Sequence, residues 1–129
     1  MQRMGIMKVQ LQKLTNEMAI CKVKDLSEFD MTQEIYFIGK TDEELSLVCC
    51  EDAVPSNATD KDPGWKAMRI TGILDFSLIG IISRITTILA DNSIGLFVVS
   101  TYNTDYVLIK KENFENAVKV LSDNGYEFV

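Results

Sequence analysis

Residues 64–85, GWKAMRITGILDFSLIGIISRI, join a strand pattern to a helix pattern and indicate how the second half of the chain folds. Residues 65–71 have the length of a strand and lie between two glycines. Beyond the following loop, apolar residues recur with spacings of three and four, which predicts an amphipathic helix. They are Leu78, Ile81, Ile82, Ile85, Ile88 and Leu89. Since Ile and Thr are mediocre helix formers, we expect tertiary packing to stabilise this helix.

The alternation of strand and helix patterns continues to the end of the chain. Residues 96–100 and 106–110 are apolar runs of strand length, separated by the turn-forming segment TYNTD. Helical spacing returns over residues 114–121, and Gly125 is suited to the end of that helix. Residues 126–129 predict a short final strand. The order strand, helix, strand, strand, helix, strand is typical of the ferredoxin-like split βαβ fold, with two helices on one face of a four-stranded antiparallel sheet.

The first half of the chain is rich in strand patterns. Met7–Leu14 and Met18–Val23 predict a hairpin, and residues 35–40 and 45–50 predict two further strands. The stretch 53–64 holds both prolines among many turn-forming residues, so we predict a linker there. The predicted class is α+β, with a degenerate, strand-rich copy of the unit at 1–52, the linker at 53–64 and a complete unit at 65–129.

The composition argues against several classes of function. Thirteen basic and nineteen acidic side chains give a net charge of −6, which repels phosphate backbones and anionic membranes, so we expect neither a nucleic-acid nor a membrane partner. The chain has no histidine and therefore offers no His-dependent nucleophile and no His metal ligand. No run approaches the roughly 18 apolar residues of a membrane span, and we expect a cytoplasmic protein.

The three cysteines do not suggest a reactive site. Cys21, Cys49 and Cys50 are odd in number and lack C-x-x-C spacing. If the adjacent pair lies on a strand, its side chains point to opposite faces. Buried, reduced thiols are therefore favoured over a redox or metal role, and we expect neither a metal nor a cofactor.

Two phrases in the second half resemble a known family. They are LDFSLIGI, residues 74–81, and ISRITTILADNSIGLFVVSTYNTDYVLI, residues 82–109. Residues 64–128 resemble ACT domains, in particular those of small bacterial tandem-ACT proteins related to the cytosolic arginine sensors of animals. The first half resembles a shorter ACT unit. The resemblance implies a non-catalytic regulatory protein that binds a small molecule, usually an amino acid, and forms a homodimer, with a metabolic enzyme or regulator as its partner.

The resemblance also implies where the ligand lies. In such proteins it occupies the place where the loop after the first strand meets a neighbouring ACT unit, close to the turn between the second and third strands. Carried over to this sequence, the candidate residues come from that loop and that turn. They are Gly72, Ile73, Leu74, Asp75, Phe76 and Ser77 in the loop, and Ser100, Thr101, Tyr102, Asn103, Thr104 and Asp105 in the turn.

The chemistry of an amino acid fits these residue types. The amide groups at the helix N-terminus, residues 76–79, suit a carboxylate. Asp105, and with it Asp75, can accept charge-assisted hydrogen bonds from an ammonium group. The apolar residues of the loop, 73, 74 and 76, can exclude water and shape a side-chain pocket.

Several alternatives remain open at this point. Asp75 is equally suited to cap the helix, and Asp105 is an ordinary turn residue. Tyr102 is also explained as a surface aromatic. The first half can contribute to the pocket through residues such as Met31 or Lys40, which no motif identifies. At the level of function, the alternatives are a detached regulatory subunit of an amino-acid biosynthetic enzyme and a structural dimerisation module without a ligand.

Overall fold

The computed structural model describes residues 9–71 and 78–129 of the chain. They form seven strands, two α-helices and one 3₁₀ turn at Glu51–Ala53. The strands are β1 (Gln10–Val23), β2 (Tyr36–Lys40), β3 (Leu45–Cys50), β4 (Ala58–Thr71), β5 (Phe97–Ser100), β6 (Asp105–Lys110) and β7 (Glu127–Phe128); the helices are α1 (Leu78–Asp91) and α2 (Lys111–Asp123). Neither helix in the described part of the chain has the length and apolar character needed to cross a bilayer.

The chain folds into two compact units. One consists of Met1–Thr15 together with Lys66–Val129 and is called the helix-containing unit below. The other is Asn16–Trp65 and is called the strand-rich unit. Strands β1 and β4 are each 14 residues long, and each runs from one unit into the other.

The sheet of the helix-containing unit includes a strand from the N-terminal part of the chain. Its strand order is β7-β1-β4-β6-β5, with β7 parallel to β1 and β5 antiparallel to β6. Leu11 is paired with Phe128, and its carbonyl accepts a 2.8 Å hydrogen bond from the Val129 amide. The α+β, ferredoxin-like class is thus confirmed, but the sheet has five strands instead of the predicted four, because β1 lies between β7 and β4.

Both helices pack apolar side chains into the core of this unit. The core residues are Leu11, Met68, Ile70, Ile85, Leu89, Ile94, Val107, Ile109, Phe114, Ala117, Leu121 and Tyr126. Burying one large aliphatic side chain is worth about 1.5–3 kcal/mol, which is enough to offset the modest helix propensity of α1. The helical pattern identified in the sequence therefore reports the face that packs on the sheet.

Each helix ends in a Schellman motif. After α2, the amides of Gly125 and Tyr126 donate to the carbonyls of Ser122 and Leu121, both at 3.1 Å. Gly125 has a φ of +95°, which a residue without a Cβ adopts freely, so its predicted role is confirmed. Ser93 has the equivalent position after α1, with a φ of 60°.

The strand-rich unit has the strand order β2-β3-β1-β4 and contains no α-helix. β3 is antiparallel to both β1 and β2, and the Thr59 hydroxyl of β4 donates to the Lys22 carbonyl of β1 at 3.3 Å. A small core on one side of the sheet comprises Cys21, Val23, Phe29, Leu47 and Cys49. The rings of Phe29 and Tyr36 pack edge to face with centroids 4.9 Å apart.

Two local predictions are wrong. The predicted hairpin of Met7–Leu14 and Met18–Val23 is the single strand β1, because Thr15 and Asn16 stay extended and exposed between segments that are buried on either side. The predicted linker 53–64 is largely strand, since residues 58–64 belong to β4. Turn propensity is a weak local preference, and pairing with a neighbouring strand overrides it.

The place of β1 in the helix-containing unit can be tested at Leu11. Leu11 is fully buried, whereas Lys13 on the same strand is exposed. We expect Leu11→Ala to lower the free energy of unfolding by about 2–5 kcal/mol through the cavity it leaves, as measured by urea denaturation. The control, Lys13→Ala, should change it by less than about 0.5 kcal/mol. Equal effects of the two substitutions would contradict this packing.

Candidate functional site

The hairpin of β5 and β6 contains the second group of candidate residues. Ser100 and Asp105 are paired across the two strands, so residues 101–104 form the turn. The Thr101 amide donates to the Thr104 carbonyl at 2.8 Å, and the Thr101 hydroxyl donates to the same carbonyl at 2.9 Å. This doubled contact fixes the backbone of the turn.

A side chain ties this hairpin to the end of β4. The Thr104 hydroxyl donates a 2.8 Å hydrogen bond to the Ile70 carbonyl, one residue before β4 ends. The chain leaves the sheet after Thr71 and enters α1 at Leu78. The loop candidates Gly72, Ile73, Leu74, Asp75, Phe76 and Ser77 lie outside the described residues. The structure therefore places the turn beside the end of β4, after which that loop begins.

Asp105 is the one buried charged residue in the part of the chain that the structure describes, with 5% of its surface exposed. Side chains alternate along β6, so Asp105 points to the same face as Val107 and Ile109, which belong to the core beneath the helices. None of the described residues forms an ion pair with its carboxylate. Removing a carboxylate from water is costly unless a cation or hydrogen-bond donors compensate it.

The other turn candidates differ from Asp105 in exposure. Thr104, whose hydroxyl is bonded to β4, is half-buried. The side chains of Ser100, Thr101 and Asn103 are exposed. Tyr102 is fully exposed, in line with its alternative as a surface aromatic.

The strand-rich unit contains an open groove of about 270 Å³ that sequence analysis did not find. Its walls are Ile20, Cys21, Lys22, Glu44, Ser46, Asp60, Lys61 and Asp62. Three of these lie in the segment predicted to be a linker, which is why no motif indicated them. Most of the charged side chains are exposed to solvent, where ionic interactions are weak. Met31 and Lys40 are exposed and do not line the groove.

Cys21 and Cys49 are buried, Cys50 is half-buried, and the pKa of each thiol is raised. Cys21 and Cys49 lie in the core of the strand-rich unit, and the Cys21 thiol contacts the Leu47 carbonyl at 3.2 Å. Burial, followed by the neighbouring Cys21 thiol, raises the pKa of Cys49 to about 12. Burial also raises the pKa of Cys21 and Cys50. A protonated thiol is a poor nucleophile and a poor metal ligand. The described residues contain no cluster of three or more metal-binding side chains.

Comparison with known proteins identifies one domain. Residues 60–123 match the family model of the ACT domain, which confirms the resemblance over that segment. No curated protein matches the chain in sequence.

Solved structures share the fold over nearly the whole chain. A protein from Agrobacterium tumefaciens is 28% identical, with a TM-score of 0.84 over 95% of this chain and 92% of that one. A protein of unknown function from Vibrio cholerae is 17% identical, with a TM-score of 0.71 over 91% and 90%. A C-terminal regulatory domain of aspartate kinase from Porphyromonas gingivalis is 18% identical, with a TM-score of 0.57 over 92% and 96%. The last two likenesses concern the fold alone.

The bond between Thr104 and β4 gives a first prediction for the turn. Thr104→Val keeps the shape of the side chain but removes the hydroxyl, and we expect the free energy of unfolding to fall by about 0.5–1.5 kcal/mol. Thr104→Ser retains the hydroxyl and serves as the control. If thermal unfolding shows the same loss for both variants, the hydrogen bond to Ile70 does not stabilise the turn.

The cysteines give a second prediction. In the unfolded chain Cys49 titrates near 9.0, whereas in the folded protein its pKa is about 12. Between these values the unfolded state releases a proton that the folded state retains, so folding stability should decrease as the pH rises from 9 to 12. Cys49→Ala should reduce that decrease in urea denaturation measured across this range. At pH 8, iodoacetamide should modify the half-buried Cys50 faster than Cys21 or Cys49, and the reverse order would contradict the assignment.

Proposed function

Because residues 60–123 match the ACT domain, we propose that the chain is a non-catalytic regulatory protein that binds an amino acid. The observation that carries the proposal is Asp105, a nearly buried carboxylate in the turn beside the end of β4. A buried negative charge at this point is suited to a ligand that brings a positive charge. The absence of histidine from the sequence and the protonated state of the thiols also favour binding over catalysis.

In the proposed complex, Asp105 accepts hydrogen bonds from the ammonium group of the ligand. Such charge-assisted bonds contribute roughly 1.5–3 kcal/mol each when shielded from water. The ligand carboxylate binds amide groups of the loop 72–77 and the first turn of α1, where the helix dipole favours a negative charge. A site that satisfies both groups rejects molecules that lack either one.

The exposure of the turn favours a second molecule of the protein at the site. Four of the six turn candidates, Ser100 to Asn103, have exposed side chains. In a homodimer, a neighbouring ACT unit covers them and excludes water from the ligand. Binding would then change how the two molecules dock, with a typical coupling of about 1–3 kcal/mol. We also propose that the protein is cytoplasmic. Its mode of action would resemble that of the arginine-sensor type of ACT protein.

A second candidate function is a detached regulatory subunit of an amino-acid biosynthetic enzyme. It is favoured by the shared fold with a regulatory domain of aspartate kinase, of which the matched region covers 96%. Co-purification of the tagged full-length chain with such an enzyme, and a change in that enzyme's feedback inhibition, would distinguish this role from that of an independent sensor.

The ligand can be sought with a thermal-shift panel of the twenty amino acids. A ligand present at 100 times its Kd adds about 2.7 kcal/mol to the free energy of unfolding, which shifts the melting temperature measurably. If none of the twenty raises the melting temperature, the amino-acid sensor proposal is wrong in this form, and a structural dimerisation module becomes the better account.

Asp105→Asn tests the proposed ammonium contact. The substitution keeps the shape of the side chain but removes its charge, so we expect the Kd of the amino acid found in the panel to rise at least about tenfold. Asp91→Asn removes an exposed carboxylate from the same unit and serves as the control, with an unchanged Kd. Isothermal titration calorimetry measures both. An unchanged Kd for Asp105→Asn would remove this residue from the site.

A further inference from the structure

Arg69 lies on the face of the sheet that is opposite to the helices. Its neighbours on β4, Met68 and Ile70, belong to the core beneath α1 and α2, and side chains alternate along a strand. The Arg69 side chain is half-buried. Asp105 and the adjacent Tyr106 also point to opposite faces of β6, so Arg69 is separated by the sheet from the site proposed above.

Two neutral side chains fix the orientation of the Arg69 guanidinium group. Its Nε and Nη2 atoms donate to Gln12 Oε1 at 3.2 and 2.7 Å. Its Nη1 atom donates to the Tyr106 hydroxyl at 3.2 Å, and the guanidinium carbon lies 5.6 Å from the centre of the Tyr106 ring. Strands β1, β4 and β6 thus each contribute one residue, and the group is held on two sides by rigid elements.

The positive charge of Arg69 has no anionic partner among residues 9–71 and 78–129. No carboxylate there lies within ion-pair distance of the guanidinium, although acidic side chains outnumber basic ones by nineteen to thirteen in the sequence. A charge that is partly removed from water is stabilised by an opposite charge, and arginine is the residue most suited to such pairing. Arg84 differs, because it is exposed on α1.

Two hydrogen-bond donors of Arg69 remain for a ligand such as a carboxylate. A guanidinium group has five N–H donors, and Gln12 and Tyr106 take three of them. Because the edge shared by Nε and Nη2 faces Gln12, the two free donors are on Nη1 and Nη2. Guanidinium N–H groups bind carboxylate oxygens through charge-assisted hydrogen bonds.

We propose that Arg69, held by Gln12 and Tyr106, is a carboxylate-binding site on the helix-free face of this sheet. The carboxylate comes either from a small molecule or from an Asp or Glu side chain of a second copy of the chain. The neutral amide of Gln12 orients the guanidinium and leaves its charge available to the ligand. The site does not depend on the amino-acid ligand proposed for Asp105, and failure of either proposal leaves the other standing.

Succinate is the probe for the first source. The Nε–Hε resonance of Arg69 in the ¹⁵N-labelled full-length protein is followed by NMR during titration with sodium succinate, with sodium chloride at matched ionic strength as the reference. We expect a saturable shift of the Arg69 resonance that is absent in chloride. The Arg84 resonance should show no saturable change, because that side chain is not held in the same way.

Three variants connect the shift to the proposed geometry, with affinity read from the side-chain amide of residue 12 or the backbone amide of Tyr106. Arg69→Lys keeps the charge but loses the planar guanidinium that Gln12 and Tyr106 orient, so the succinate Kd should rise at least about tenfold. Gln12→Glu places a carboxylate against the guanidinium and should weaken succinate to the same extent. Arg84→Lys is the matched control and should leave the Kd unchanged.

The second source is tested without succinate. If an acidic side chain of another copy occupies the site, the Arg69 resonance shifts with protein concentration, sedimentation shows a dimer that Arg69→Lys weakens, and added succinate reverses both effects. A saturable response to succinate or to protein concentration supports the carboxylate site and identifies the source. If the Arg69 resonance responds to neither more than the Arg84 resonance does, the proposal is overturned.

Discussion

The pairing of β7 with the start of β1 is the constraint on which the helix-containing unit depends. Residues 66–129 supply two helices and four strands, yet the last of these strands is hydrogen-bonded to residues 10 and 11 and not to β4. The Leu11 side chain packs in the same core as the helices, and its carbonyl accepts a hydrogen bond from the Val129 amide. The match to the ACT domain covers residues 60–123, so the sheet of this unit is completed by residues from outside that match.

Sequence patterns predicted the parts of the fold that local physics determines. The apolar spacing of α1 and α2 identified the face that is buried, and the pairing of β5 with β6 follows from two apolar runs around a polar turn. The long strands were missed for the opposite reason. Thr15, Asn16 and Pro63 have turn-forming preferences, and only the neighbouring strands, which are remote in sequence, explain why the chain remains extended there.

The turn became a candidate site through family resemblance and not through a local sequence pattern. The charge of Asp105 distinguished it in the sequence, but the sequence did not show which of the six turn side chains are buried. Strand alternation separates them, because Asp105 starts β6 on the core side whereas Tyr102 stands in solvent. Arg69 carried no signal at all, since its partners Gln12 and Tyr106 lie 57 and 37 residues away in sequence.

The pairing of β7 with β1 also affects how the protein folds during its synthesis. The side chains of Gln10 and Glu127 are joined by a 3.1 Å hydrogen bond across a sequence separation of 117 residues. Contacts between such distant residues raise the contact order of a domain and slow its folding. During synthesis on the ribosome, residues 10 and 11 of β1 emerge before β7 and cannot pair with it until β7 has been made. The strand-rich unit, whose residues are contiguous from Asn16 to Trp65, is under no such delay.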